Sequence, residues 1–219
     1  MITFEQLKNN PTVNTYIRQA DASLTALGYT EHSFAHVCKV AETAGYILET
    51  MNYPEQDVEL VKIAAYLHDI GNLVNRDDHS QSGAVMAFRI LDEMNMPAED
   101  LAKVVTAIGN HDEGTGVAVN PIAAALILAD KSDVRRSRVR NQDKTSFDIH
   151  DRVNFSVQSA SLFIDETHES ITLKMTVDTH YSSVMDYFEI FMDRTMMSKY
   201  AAKYLQVWFE LVINDTRLL

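Results

Sequence analysis

Four imidazoles and two carboxylates are spaced through the first two thirds of this chain in the order His36, His68, Asp69, His79, His111 and Asp130. Imidazole nitrogen with carboxylate oxygen suits divalent ions, with Fe or Mn foremost, Co, Ni or Zn next, and Mg leaning on the carboxylates. The chain's one thiol, Cys38, offers no thiolate set for a structural zinc site, so the chemistry expected is catalytic. His68 and Asp69 are adjacent, and the imidazole can serve one ion while the carboxylate bridges to a second. Any one of these histidines alone reads equally well as a hydrogen-bonded or surface residue. Four of the eight in the chain, near predicted helix ends and in this order, point to a metal centre holding one or two ions.

The elements that must position these groups are mostly helical. Phe34, Val37, Val40, Ala41, Ala44, Ile47 and Leu48 follow the i, i+3, i+4 spacing of an amphipathic helix over about 30–51, which places His36 in a helix body. Pro54 suits a first helical position, and the apolar side of the next helix runs on to Gly71, read as its stop; His68 and Asp69 then occupy the last turn. A polar loop is expected over 72–78, followed by helices over 79–95 and 97–109. Asn120 and Pro121 form a cap and first-turn signature for a very apolar helix over 122–129 that ends at Asp130.

Beyond that helix the pattern changes. Ile171, Leu173, Met175 and Val177 alternate with polar residues, and with 161–164 they predict a hairpin, followed by a helix over 183–205 and a third strand over 208–213. The expected fold is mainly α: a helical metal-binding domain over 1–154 and an α+β appendage (hairpin, helix, strand) over 155–219. Met185, Tyr187, Phe188, Phe191 and Met192 are expected to be appendage core. A homodimer contact or closure over the site are its other uses. His150, His168 and His180 lack ligand spacing and are read as non-ligands.

The chain has 219 residues, 46% of them hydrophobic and 23% charged, which is ordinary for a globular protein, and no apolar run approaches a membrane span. The first residues resemble no secretory signal, and a cytoplasmic location is expected. A formal charge of −12 argues against nucleic-acid binding. Yet Lys131, Arg135, Arg136, Arg138 and Arg140 crowd in just after Asp130, as for a small anionic ligand; a solvated helix face is the alternative.

The ordered pattern His36, then His68-Asp69-Ile70-Gly71, then Asp130 resembles the HD superfamily of metal-dependent phosphohydrolases. The flanks Glu31 to Ala41 and Leu128 to Asp133 look like that family's first and last ligand segments. His79 with Gly83, and Asn110-His111-Asp112-Glu113, stand where some members carry two further histidines for a second ion. This layout is similar to that of bacterial HD hydrolases of diadenosine tetraphosphate. The Gly-Tyr-Pro signature of the cyclic dinucleotide branch is absent, since Val117 follows Gly116.

The resemblance implies an HD-type helical bundle over roughly 30–140 and hydrolysis of a phosphate ester or anhydride in a nucleotide-like substrate, by water activated between metals that Asp69 bridges. Lys131 or Arg135 would counter charge on the phosphoryl group, Lys131 also acting catalytically, with Arg76 and Asn72 as further substrate contacts. Asn72 stands where many relatives carry lysine. Asp112, Glu113 and Asp133 are candidates for leaving-group acid or for support of the ligands, and His32 for support or substrate contact. A mixed-valent di-iron oxygenase and a non-catalytic metal or nucleotide sensor are the rival readings.

Overall fold

A computed structural model describes residues 2–219. Its organising element is the apolar run that follows Asn120. Helix α7 (Pro121–Ser132) is buried from Ile122 through Lys131, as a helix without a polar face must be. The Asn120 side chain caps it, accepting from the Ala123 N–H at 2.7 Å. Around it lie α3 (Phe34–Thr50), α4 (Glu55–Leu67) and α6 (Ala98–Gly109), with α2 (Pro11–Ala26) and α5 (His79–Glu93) outside them. Short helices α1 (Phe4–Lys8) and α8 (Ile149–Ser156), which hydrophobic periodicity does not announce, complete the α part.

The C-terminal part holds the expected hairpin, helix and strand, with two additions. Strand β1 (Val157–Ile164) pairs antiparallel with β2 (Ser170–Val177), with Leu162 opposite Leu173. Helix α9 (Val184–Tyr204) then crosses back to β3 (Trp208–Ile213), which runs parallel to β2 with Leu173 opposite Leu211. A two-residue β4 (Thr216–Arg217), absent from the sequence reading, closes the sheet order β1-β2-β3-β4. The first strand is also longer than 161–164. Helix α9 packs against α7, and one continuous buried core takes in Leu126 and Ile127 together with Leu211 and Ala201.

Three local departures bear on the site. Helix α3 starts at Phe34, later than the expected 30, because Ser33 caps it; His36 therefore sits in the first turn, not in the body. Helix α4 ends at Leu67 with His68 as its cap residue, and Asp69 follows outside. Residues Ile70–Leu73 form a 3-10 turn in which Asn72 is buried, where a polar loop was expected.

Gly71 acts differently from a helix stop. Its backbone is not left-handed; instead, a Cβ there would lie 2.0 Å from the His79 carbonyl oxygen and 2.5 Å from the Gly83 nitrogen. The glycine lets the turn after Asp69 press directly on the first turns of α5. Gly71→Ala should therefore destabilise the fold by about 1–3 kcal/mol, as overpacking does, and lower the bound metal per chain through displacement of His79. Chemical denaturation alongside metal analysis checks both effects.

Candidate metal centre

Each of the six predicted donors comes from a helix terminus or the residue beside one, and the structure brings all six together. His36 lies in the first turn of α3, His68 caps α4, Asp69 follows it, His79 opens α5, His111 follows the end of α6 and Asp130 lies in the last turn of α7. All six are buried. His36 Nε2 is 3.3 Å from His68 Nε2, 3.3 Å from Asp130 Oδ1 and 3.5 Å from Asp69 Oδ2. His68 Nε2 is 3.3 Å from Asp69 Oδ2 and 3.6 Å from Asp130 Oδ1. Donors around one ion at about 2.1 Å lie roughly 3.0–3.4 Å apart, so this spacing fits a common cation. On the other side, His79 Nε2 is 3.2 Å from His111 Nε2 and 3.6 Å from Asp69 Oδ1. The two oxygens of Asp69 thus face two different histidine pairs.

The rings are held by their far nitrogens. His68 Nδ1 contacts the Ala65 carbonyl at 2.7 Å, His79 Nδ1 the Arg76 carbonyl at 3.0 Å and His111 Nδ1 the Ile108 carbonyl at 2.6 Å. His36 Nδ1 contacts Asp133 Oδ2 at 2.8 Å. Oxygens of carbonyls and carboxylates only accept, so each Nδ1 carries the proton and each neutral ring turns a bare lone pair inward. With all four rings neutral, lone pairs face one another at 3.2–3.3 Å beside two carboxylates, an arrangement that a proton or a metal ion between them relieves. Asp69 Oδ2, buried without a hydrogen-bond partner, is the unsatisfied atom such an ion would engage. The residues fit divalent metal.

The electrostatics agree. Burial disfavours charge on Asp69, yet the neighbouring His68 holds its carboxyl well below the usual range. Burial acts likewise on Asp130, where Lys131 wins and again the carboxyl stays well below. Burial presses His68 toward neutrality, but Asp69 and Asp130 raise it to about 10, so without metal a proton is drawn into this half of the cluster. Burial keeps His79 below the ordinary histidine value and His111 well below it, leaving their lone pairs free.

Above the cluster a small space opens into a cavity of about 440 Å³. The neck between them is formed by His32, Arg76, Glu113, Arg138 and Arg194. Among the predicted substrate contacts, Arg76 lies at this neck, its guanidinium 3.4 Å from Asn72 Oδ1 and in no ion pair among the described residues. Arg135 does not line it: its guanidinium is spent on Glu31 at 2.8 Å and Asp133 at 2.9 Å. Asn72 lines neither space: its amide donates to the carbonyl and Oδ1 of Asp69 at 2.9 and 3.0 Å and so orients that carboxylate. Lys131 reaches the inner space but is held by Asp130 Oδ2 at 2.8 Å and Glu113 Oε1 at 3.1 Å.

The remaining candidates separate by position. Asp133 lies behind His36 and away from the cavity. Glu113, half-buried, is held down to about 2 by Lys131 and Arg194. Asp112 faces the inner space with Oδ1 3.9 Å from His79 Nε2. His32 lines both spaces, its ring edge-on to His36. Most of the basic cluster serves the fold: Arg136 stacks 4.4 Å over Phe155 and Arg140 pairs with Asp21. Arg138 belongs to that cluster but was not singled out in sequence. Arg194 was missed altogether, since nothing in the pattern of α9 marks one arginine as inward. His150, read as a non-ligand, lines the outer cavity.

Comparison with known proteins bears on this geometry. The model of the HD domain matches residues 33–152, more than half of the chain and all six donors. The chain belongs to the HD-domain family. An uncharacterized protein of Methanocaldococcus jannaschii is 26% identical over 211 residues, covering 85% of this chain and 79% of that one. The crystal structure of a predicted HD superfamily hydrolase from an uncultured Thermotogales bacterium is 25% identical with a TM-score of 0.44, over 57% of this chain and 67% of the other. No helix among the described residues is long and apolar enough to cross a membrane.

Asp133→Asn should weaken metal binding about 10–100-fold while leaving the six donors in place, since it removes the anion that orients and polarises His36. Competition titration with a chromophoric chelator reads this directly.

Proposed function

We propose that this chain is a metal-dependent phosphohydrolase acting on a phosphate ester or anhydride in a nucleotide-like substrate, with two divalent ions, Fe or Mn, held on either side of Asp69. The observation that carries the reading is the Asp69 carboxylate, buried with one oxygen toward His36 and His68 and the other toward His79. Ions bound there would supply Lewis acidity toward a phosphoryl oxygen and toward the attacking water.

The chain's own residues do the rest. Asn72 fixes the rotation of Asp69 through two hydrogen bonds, and Lys131 fixes Asp130. Arg76 and Arg138 present positive charge at the neck, outside the donors, where it draws in an anionic substrate. Elimination assigns the proton transfer. Asp133 is turned away and Glu113 is bound by two cations, which leaves Asp112 Oδ1 as the carboxylate able to exchange a proton with the leaving group or the water. The chain would then be a small-molecule enzyme, working in the cytoplasm without nucleic acid or membrane.

The test is hydrolysis by protein purified without chelator, screened over mononucleotides, dinucleoside polyphosphates and cyclic dinucleotides, with metal analysis in parallel. Two ions per chain and phosphate release are expected. Asp69→Ala should lose metal and at least about 100-fold in rate, whereas Asp112→Asn should keep its metal and lose about 100-fold or more in kcat. Activity surviving without oxygen on Mn-loaded protein counts against oxygenase chemistry. Turnover that requires oxygen and releases no phosphate would refute the proposal.

A further inference from the structure

The helix that crosses the C-terminal sheet enters the site. Arg194 of α9 lines both the small space over the cluster and the outer cavity, and its Nε donates to Glu113 Oε1 at 3.0 Å. The helix backbone departs from helical geometry at Phe191, three residues earlier, where its ring forms cavity wall and lies 4.3 Å beneath the Arg194 guanidinium. Arg76 approaches from the loop before α5, and Arg138 from the segment after α7. Both Arg138 bonds with a clear geometry go to backbone oxygens, at 2.9 Å to Glu31 and 2.8 Å to Asp133.

Three guanidiniums therefore ring the neck, where Glu113 is the carboxylate that lines both spaces and Asp133 Oδ2 stands 3.8 Å behind Arg138. Arg76, at 5.6 Å from the Tyr29 ring and 3.4 Å from Asn72 Oδ1, has no ion pair among the described residues. We propose that this collar of Arg76, Arg138 and Arg194 binds a second phosphate, so that the enzyme's substrate is a phosphoric anhydride, a diphosphate or longer, and not a monoester. The inference rests on the phosphohydrolase reading above and narrows it.

The geometry supplies the reason. The free space at the cluster, about 20 Å³, is far smaller than the outer cavity of about 440 Å³, so most of a substrate must stand at the neck and beyond it. The next group along the substrate must then stand at the neck. In a monoester that group is a neutral carbon, which gives Arg76 no anion and leaves the other two guanidiniums only Glu113 and Asp133. In an anhydride it is another phosphate, matched to forked donors on several sides. The outer cavity, walled by Tyr29 and Phe191, is of the size that takes a drug-sized organic group. The appendage helix thus supplies a specificity residue that the metal ligands alone do not predict.

The test uses full-length, Mn-loaded protein and two probes that carry no organic moiety, inorganic phosphate and methylenediphosphonate, titrated by calorimetry in buffer with matched Mn. Bound metal is measured before and after. Methylenediphosphonate should bind at least about 10-fold more tightly than phosphate, the gain expected of charge-assisted hydrogen bonds to a second anion. Arg76→Gln and Arg194→Gln should each erase most of that gain while changing phosphate affinity less than about 3-fold. Arg194→Lys should recover part of it, and wild-type metal content and melting temperature separate lost recognition from disturbance of the Glu113 pair. Equal affinity for the two probes, or equal losses for both in the variants, overturns the collar and leaves the hydrolase reading intact. Phosphate binding that is indifferent to metal overturns both.

Discussion

Everything at this site follows from one electrostatic demand: four imidazoles and two carboxylates have been turned inward on the two sides of Asp69. Left alone, such a convergence would fly apart, and the raised proton affinity of His68 shows the cluster seeking positive charge. The arrangement persists because the backs of the rings are anchored. His68, His79 and His111 each donate Nδ1–H to the carbonyl three residues earlier, at Ala65, Arg76 and Ile108. At the end of α4 the Ala65 carbonyl lacks a following helical N–H, so one hydrogen bond both completes the helix end and aims the ring, while the Ile108 carbonyl of α6 also accepts from the backbone that follows it. The positioning device is local even though the site is assembled from distant segments.

That explains why helix ends, and not helix bodies, carry the donors. A ring at a terminus can be tethered to its own backbone and still project past the helix toward neighbours. The apolar helix α7 provides the fixed surface for the others, and its last turn delivers Asp130 to the point where they meet. Gly71 allows the chain beyond Asp69 to fold back onto α5 closely enough that one carboxylate can face both histidine pairs.

Much of this was legible in sequence, and the limits have physical causes. The ordered set of donors could be read because each is a rare chemical type beside a recognisable helix boundary, and the alternation of Ile171 to Val177 revealed β2 for the same reason of simple periodicity. The role of Asn72 could not be read: a polar residue next to glycine looks like a loop until the 3-10 turn buries it under Asp69. Charge clustering also misled. Lys131 and Arg135 stood out by proximity to Asp130, yet the first is neutralised by two carboxylates and the second by Glu31 and Asp133. The arginines that face the cavity, Arg138 and Arg194, are distinguished only by three-dimensional placement.

The chain Arg194–Glu113–Lys131–Asp130 links the C-terminal helix to the metal cluster through successive contacts of 3.0, 3.1 and 2.8 Å. It gives the order of synthesis a meaning. All six donors have left the ribosome well before α9, which packs on α7 as well as on the strand that follows it. A growing chain therefore holds its whole set of metal-binding groups before the helix that carries Arg194 has been made.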